Sequence, residues 1–321
     1  MTEGNPRWLP AIALMVLGCV LAGVAVWSVA GQPRSLPPLV TPTAGASDSP
    51  TGPAPTSTTT AQPAPCTRTA SLRVMTFNIH HASRHGDIEL EQIAREIEAV
   101  DPDVVALQEV DRGNPRSSYV DEAGWLGQRL GLTPLYGVTR TRVNHGRAPG
   151  MSQYGNALLT RLPVLHHQNL RLPNLTHLEQ RALLLATLDL HGIRLVVGST
   201  HFQQRPPKPR TLQAEYVVHA LATQSGPRLL MGDLNDEPGT RPLRILRGPL
   251  HDLWSGAGTG PGFTHPRFHA DRRIDFVLGD HGIRGHRAGI LVSRVSDHRA
   301  VWAQVQVTGG VRCVNATFSR P

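Results

Sequence analysis

Three apolar residues, Leu229-Leu230-Met231, run into Gly232 and then release Asp233 and Asn235 two positions apart, ahead of Asp236-Glu237-Pro238. No other stretch restricts the fold as much. An apolar run this short, closed by glycine and acid, reads as a buried strand whose carboxyl end carries a carboxylate and a carboxamide free to face a ligand. Open α/β folds collect their chemistry at such ends. The plainer alternative is an Asx-rich turn that only closes a strand.

The same pattern recurs along the chain. Leu72 to Ile79 alternates around Val74, Met75 and Phe77, and reads as a strand with Asn78 near its end. Asp87 is placed to cap a helix in which Leu90, Ile93, Ala94, Ile97 and Val100 share one face, and Asp101-Pro102 stops it. Val104 to Leu107 is then a buried strand with Glu109 at its exit, which completes a β-α-β opening. Trp125, Leu126 and Leu130 mark a second helix, ended by Gly131. Further strands are expected at Ala157 to Leu159, Ala182 to Leu190, Leu195 to Thr200, Ile274 to Leu278 and Ala300 to Val307. The third of these delivers His201. An amphipathic helix is expected over Leu212 to Leu221 and a short one near Leu243. Several strands follow one another directly, which favours two packed sheets covered by helices over one parallel sheet. No internal repeat is visible.

The amino-terminal part is of another kind. After a short tail (1–7), residues 8–30 are almost wholly apolar, with no charge between Arg7 and Arg34. That is long enough for one bilayer-spanning helix, with a cleaved signal ending at Ser28-Val29-Ala30 as the alternative. Residues 31–66 are dominated by Pro, Thr, Ser, Ala and Gly, a composition that cannot bury enough to fold and reads as a spacer. A folded domain is expected over 67–313, with a tail at 314–321. Cys66 and Cys313 bracket that domain, while Cys19 lies inside the apolar run. The bracketing pair suggests a disulfide and an oxidising compartment; two buried free thiols are the alternative. Together these features place a monomer at the cell membrane, single-pass, its domain extracytoplasmic, or secreted if the leader is cut. The net charge of +8 comes almost wholly from arginine, since Lys208 is the sole lysine. Spread along the chain in this way, it is weak support for a polyanionic partner.

The polar residues gathered at apparent strand exits are Asn78, Glu109, His201, Asp233, Asn235, Asp275, Asp297 and His298. Oxygen donors of this kind suit a hard divalent cation, and histidines with carboxylates can orient water and hold a proton. No Cys/His set has zinc spacing, no Gly-rich Lys-Ser/Thr loop cradles a nucleotide, and no serine elbow is present.

In order, Met75-Thr76-Phe77-Asn78, Leu107-Gln108-Glu109-Val110, Tyr154-Gly155-Asn156-Ala157, Thr200-His201-Phe202, Gly232-Asp233-Leu234-Asn235, Arg273-Ile274-Asp275-Phe276 and Ser296-Asp297-His298 closely resemble the motif series of the endonuclease/exonuclease/phosphatase superfamily. The resemblance spans about Arg73 to Val307. It implies a four-layer α/β/β/α sandwich, whose neighbouring first and last strands would suit a Cys66–Cys313 bridge. It also implies a metal-dependent phosphoesterase. Glu109, Asn78 and Asp297 would lie at a Mg²⁺ or Mn²⁺ ion. Catalysis would fall to His298, Asp275, Asp233, Asn235 and His201, and substrate contacts to Asn156, Arg181 and Arg210. The implied substrate is a phosphoester: a lipid head group, a small phosphodiester or nucleic acid. A sequence-nonspecific nuclease and an inactive surface-binding module of the same fold are the competing readings.

Overall fold

The computed structural model describes residues 65–84, 86–144 and 149–313. The apolar segment at 8–30, the spacer up to Ala64 and the tail at 314–321 lie outside the described residues. Among the described residues no helix is long and apolar enough to cross a membrane. The chain runs through β1 (Pro65–Asn78), the small strands β2 (Ser83–Arg84) and β3 (Asp87–Ile88), α1 (Leu90–Val100), β4 (Val104–Arg112), α2 (Glu122–Leu130), β5 (Thr133–Asn144) and β6 (Gly150–Thr160). Next come β7 (Val164–Arg171), β8 (Ala182–Leu190), β9 (Ile193–His201), α3 (Pro209–Ala222), β10 (Arg228–Asp233) and α4 (Arg241–Leu246). The last elements are β11 (His251–Asp252), α5 (Trp254–Ala257), β12 (Asp275–Gly279), β13 (Ile283–Val292) and β14 (Arg299–Arg312).

Two six-stranded mixed sheets result, in the orders β13-β14-β1-β4-β6-β5 and β11-β12-β10-β9-β8-β7. Side-chain alternation assigns the layers. Leu72 and Val74 of β1, with Leu229 and Met231 of β10, enter the core between the sheets. Met75 and Phe77 point the other way, against Ile93 and Ile97 of α1, and Leu230 packs with Val217 and Leu221 of α3. Central strands are therefore apolar on both faces, so they read as unbroken hydrophobic runs. The order of layers is helix, sheet, sheet, helix, as the expected sandwich requires.

Each sheet holds one parallel pair, β1 with β4 and β9 with β10, each joined by a crossover that carries a helix. The two sheets are thus built alike, a repetition invisible in the sequence. Gly232 serves a packing need: a Cβ there would meet the Thr200 carbonyl oxygen at 1.9 Å. The glycine lets β10 lie tightly against β9 just before Asp233 emerges. Cys66 and Cys313 form a disulfide with Cα atoms 5.7 Å apart, closing the open end of the β1–β14 ladder.

Three expectations need correction. Asp87 does not cap α1; it pairs with Arg84 in the small hairpin, and the cap position is Glu89, without a side-chain bond. Glu109 is not at a strand exit, because β4 continues to Arg112. Instead, Gln108 and Glu109 together oppose Asn156 of β6, a bulge in which Glu109 takes φ 58°. The edge strands β5, β7 and β13 were unanticipated: β5 and β7 show an exposed, polar-rich alternation, and the run Ile290-Leu291-Val292 of β13 is only partly buried and follows a stretch of Arg, His and Gly.

Glu122, fully buried at the start of α2, accepts a hydrogen bond from the Asp111 amide at 2.7 Å. Burial is the main reason its carboxyl is pushed up from 4.5 to about 8. The folded chain thus binds more protons than the unfolded one between these values, so stability is lost as the pH rises through that window. Glu122→Gln keeps the acceptor and removes the titration. Thermal melts from pH 4.5 to 8 should show a stabilisation of the variant over wild type that grows with pH; a constant difference would contradict this reading.

Candidate active site

Strand direction brings the polar residues to one edge of the sandwich. Asn78, His201 and Asp233 end β1, β9 and β10. Asp275 begins β12 and His298 immediately precedes β14, yet these strands run antiparallel to β10 and β1, so their beginnings meet the other strands' ends. Asp233 lies opposite both His201 and Asp275 in the ladder. The expectation that all these residues leave strands is therefore corrected for Asp275, Asp297 and His298: they lead into strands.

His298 is the hub. Its Nδ1 is 2.9 Å from Asp275 Oδ2, and its Nε2 lies 3.6 Å from Asp233 Oδ2 and 3.5 Å from Asn78 Nδ2. Its backbone amide donates to Ser296 Oγ, which in turn donates to the Asn78 carbonyl at 2.6 Å. Burial works against the imidazolium more than any other single influence, but Asp275 and Asp233 together outweigh it and raise the ring's pKa to about 10. Burial, then the neighbouring Asp275, also makes Asp233 a weaker acid than usual. Asp233 and the His298 imidazole thus share protons that neither would hold in this way alone, with the Asp275 carboxylate beside both.

Asn78 ties the two sheets together here, donating from Nδ2 to Glu109 Oε1 at 3.0 Å and to Asp233 Oδ2 at 3.1 Å. Asn235 takes φ 50°, a conformation asparagine tolerates, and its amide donates to Asp233 Oδ1 at 2.8 Å. His201 stands beside them, Nε2 being 2.9 Å from the Asn235 side-chain amide and 3.4 Å from Asp233 Oδ2. Behind it, Arg181 Nη1 sits 3.1 Å from Nδ1 and 3.0 Å from Glu179 Oε1. A guanidinium has only donors, so Nδ1 accepts and the ring proton falls to Nε2, whose acceptor is Asp233 Oδ2; the Asn235 side-chain nitrogen donates to the Phe202 carbonyl at 3.1 Å. Burial foremost, with Arg181 and His298, holds His201 well below its ordinary pKa. The ring is a neutral donor aimed at the centre.

Two expected substrate contacts are placed elsewhere. Arg181 is buried behind His201, where it sets the tautomer. Asn156 is buried and donates across the sandwich to the Ala182 carbonyl at 3.0 Å. Arg210 does line the open cleft of about 1110 Å³ next to His298 and Asn235, paired with Asp236 at 3.5 Å. Asp297 is half exposed and faces His80 at 3.8 Å and His265 at 3.7 Å; neither Asn78 nor Glu109 is among its partners in the described residues. Burial opposes its ionisation, but the His265 hydrogen bond, with His298 and His80 nearby, holds its carboxyl well below the usual range.

His80, His81, His265 and Ser296 also belong to this edge, and sequence reasoning missed them. The ring of His265 packs on His298 with centroids 4.6 Å apart, and His81 Nδ1 lies 4.0 Å from Glu109 Oε2. The pair at 80 and 81 could have been noticed from its place just after Asn78. His265 comes from a loop with no periodicity to read.

The family model described as "Endonuclease/Exonuclease/phosphatase family" matches residues 75–298. An endonuclease/exonuclease/phosphatase structure from Beutenbergia cavernae is similar at 26% identity and TM-score 0.59, covering 74% of this chain and 72% of that one. The mannosyl-6-phosphatase of Bacteroides thetaiotaomicron is similar in fold, at 16% identity and TM-score 0.61, covering 73% and 99%. So is truncated TDP2 of Caenorhabditis elegans, at 20% identity and TM-score 0.55, covering 73% and 97%. No curated protein matches the chain by sequence.

The His201 assignment is measurable by ring-nitrogen NMR. Wild-type His201 should stay neutral, with its proton on Nε2, at pH values where an ordinary imidazole is already protonated. Arg181→Met should admit the second tautomer and raise the pKa towards the ordinary value. An unchanged ring in that variant would show that Arg181 does not set it.

Proposed function

Since this chain belongs to the endonuclease/exonuclease/phosphatase family, we propose that it is a divalent-metal-dependent hydrolase that splits a phosphate ester by in-line attack of water. The carrying observation is the Asp233–His298–Asp275 cluster, which combines proton-sharing groups with an edge that opens on the cleft. Glu109 and Asn78 would hold a Mg²⁺ or Mn²⁺ ion. Their donor chemistry fits: the Glu109 carboxylate on its bulge and the Asn78 carboxamide at the end of β1 are both hard oxygen sources, held together by the bond from Asn78 Nδ2 to Glu109 Oε1. Asp297 fits less well as a direct ligand, since its carboxylate already faces two imidazoles. A bound cation would neutralise charge on the phosphoryl oxygens.

The chain's own groups divide the remaining work. As water attacks phosphorus and the P–O bond opposite it breaks, the water's proton passes to the shared Asp233–His298 system, which can return a proton to the departing ester oxygen, with Asp275 Oδ2 fixing the ring at Nδ1. Asn235 orients Asp233 through its amide. His201 offers its Nε2 proton to a non-bridging oxygen as charge builds there. Arg205, Arg210 and Arg272 line the cleft and meet the substrate's anionic part. A cleft of about 1110 Å³ accommodates a small phosphoester or a lipid head group. Those three arginines also favour the second reading, nonspecific cleavage of nucleic acid. The Cys66–Cys313 bridge supports an extracytoplasmic setting, with the apolar segment at 8–30 as anchor.

Glu109→Ala and His298→Ala should each reduce metal-dependent release of nitrophenol from bis(p-nitrophenyl) phosphate by about 10²–10³-fold or more. Far-UV circular dichroism should remain unchanged, and EDTA should quench the wild type. Full activity in either variant would refute the site. Plasmid nicking set beside a phospholipid and sugar-phosphate panel separates the two substrate readings.

A further inference from the structure

Next to the proton-sharing cluster, two imidazoles that the mechanism above leaves idle stand beside Glu109. One ligating atom each from His80, His81 and Glu109 falls within 4.8 Å of the others. His81 turns Nδ1 towards Glu109 Oε2, and that nitrogen is buried without a hydrogen-bond partner. The His80 ring packs edge-on against His81, centroids 4.4 Å apart, with its own Nδ1 towards Asp297.

Ordinary chain folding does not require this arrangement. His80, His81 and Ala82 take φ values of 49°, 45° and 46°, and Glu109 takes 58°. Side chains disfavour that left-handed region. Two separate segments are thus bent so that two imidazoles and one carboxylate converge. The donor mix carries chemical meaning, since Mg²⁺ sites are built from oxygens and waters whereas imidazole nitrogen suits first-row transition ions. Ligand bonds of about 2.1 Å at right angles put neighbouring donor atoms about 3 Å apart. The 4.0 Å approach of His81 to Glu109 is therefore about 1 Å from a chelate.

We propose that His81 and His80 join Glu109 as nitrogen ligands, making this a mixed nitrogen–oxygen centre that takes a first-row transition ion in preference to Mg²⁺. The proposal rests on the reading that a divalent cation sits at Glu109, and it specifies which ion and through which atoms. Mn²⁺ titrated into the full-length chain and followed by electron paramagnetic resonance provides the test. Bound Mn²⁺ should show coupling to directly ligated ¹⁴N in pulsed spectra of the wild type, a readout independent of turnover and of any variant's folding. His81→Gln should remove one of the two nitrogen couplings, the double variant His80→Gln/His81→Gln both, and each should weaken Mn²⁺ binding, the double variant by about ten-fold or more, while Mg²⁺ affinity, measured by competition, stays unchanged. Glu109→Gln should weaken both ions. Bound Mn²⁺ without nitrogen coupling would overturn this inference and leave the hydrolase reading intact. Failure of the wild type to bind either ion would overturn both.

Discussion

Two carboxylates face each other on neighbouring strands at the functional edge of the sandwich, and both are almost completely buried. Asp233 and Asp275 are register partners in the β10–β12 ladder. Like charges so placed cannot both ionise without compensation. His298, reaching in from the other sheet, supplies it, and that interaction adds a polar link between the two sheets as well as poising a proton. The rest of the site is arranged around keeping the ring there. Ser296 holds its backbone, Asn78 fills the gap towards Glu109, and His265 covers its face. Neutralising either aspartate would remove one of the two charges that favour the His298 imidazolium.

The architecture explains why such a cluster can be assembled from distant residues. Parallel pairs in each sheet send β1, β4, β9 and β10 in a common sense, and antiparallel neighbours bring the beginnings of β12 and β14 to the same edge. The backbone is then bent locally to aim the side chains. Glu109 on its bulge, Asn235 after β10, and the run from His80 to Ala82 all have positive φ without being glycine. Each such residue costs on the order of 1–3 kcal/mol. Surrounding hydrogen bonds fix them, including His80 N to Asn78 Oδ1 at 3.1 Å and Leu234 N to the Ile274 carbonyl at 2.8 Å. Other positive-φ residues, such as Asp101 and Ser118, close helices, whereas these aim side chains at the site.

Much of this was legible in the sequence because the central strands are buried on both faces. Val104-Val105-Ala106-Leu107 and Leu229-Leu230-Met231 announce themselves as apolar runs, and α1 shows its 3.6-residue stripe. The motif series placed Asn78, Glu109, His201, Asp233, Asp275 and His298 together, and the structure brings them to one edge. What could not be read depends on partners far away in sequence. The bulge at Glu109 is a mismatch with β6, and no property of β4 alone encodes it. Arg181 looks like any surface arginine until His201 and Glu179 enclose it, and Asn156 looks like a contact until Ala182 takes its amide. Strands β5, β7 and β13 sit at or next to sheet edges, where one solvated face dilutes the hydrophobic signal.

The central claim is that water attacks phosphorus beside the Asp233–His298–Asp275 cluster. Hydrolysis of bis(p-nitrophenyl) phosphate in ¹⁸O-enriched water, with mass analysis of both products, tests it most directly. The account predicts one solvent oxygen in the p-nitrophenyl phosphate and none in the nitrophenol. Label in the nitrophenol, or no turnover in the presence of divalent cations, would contradict it.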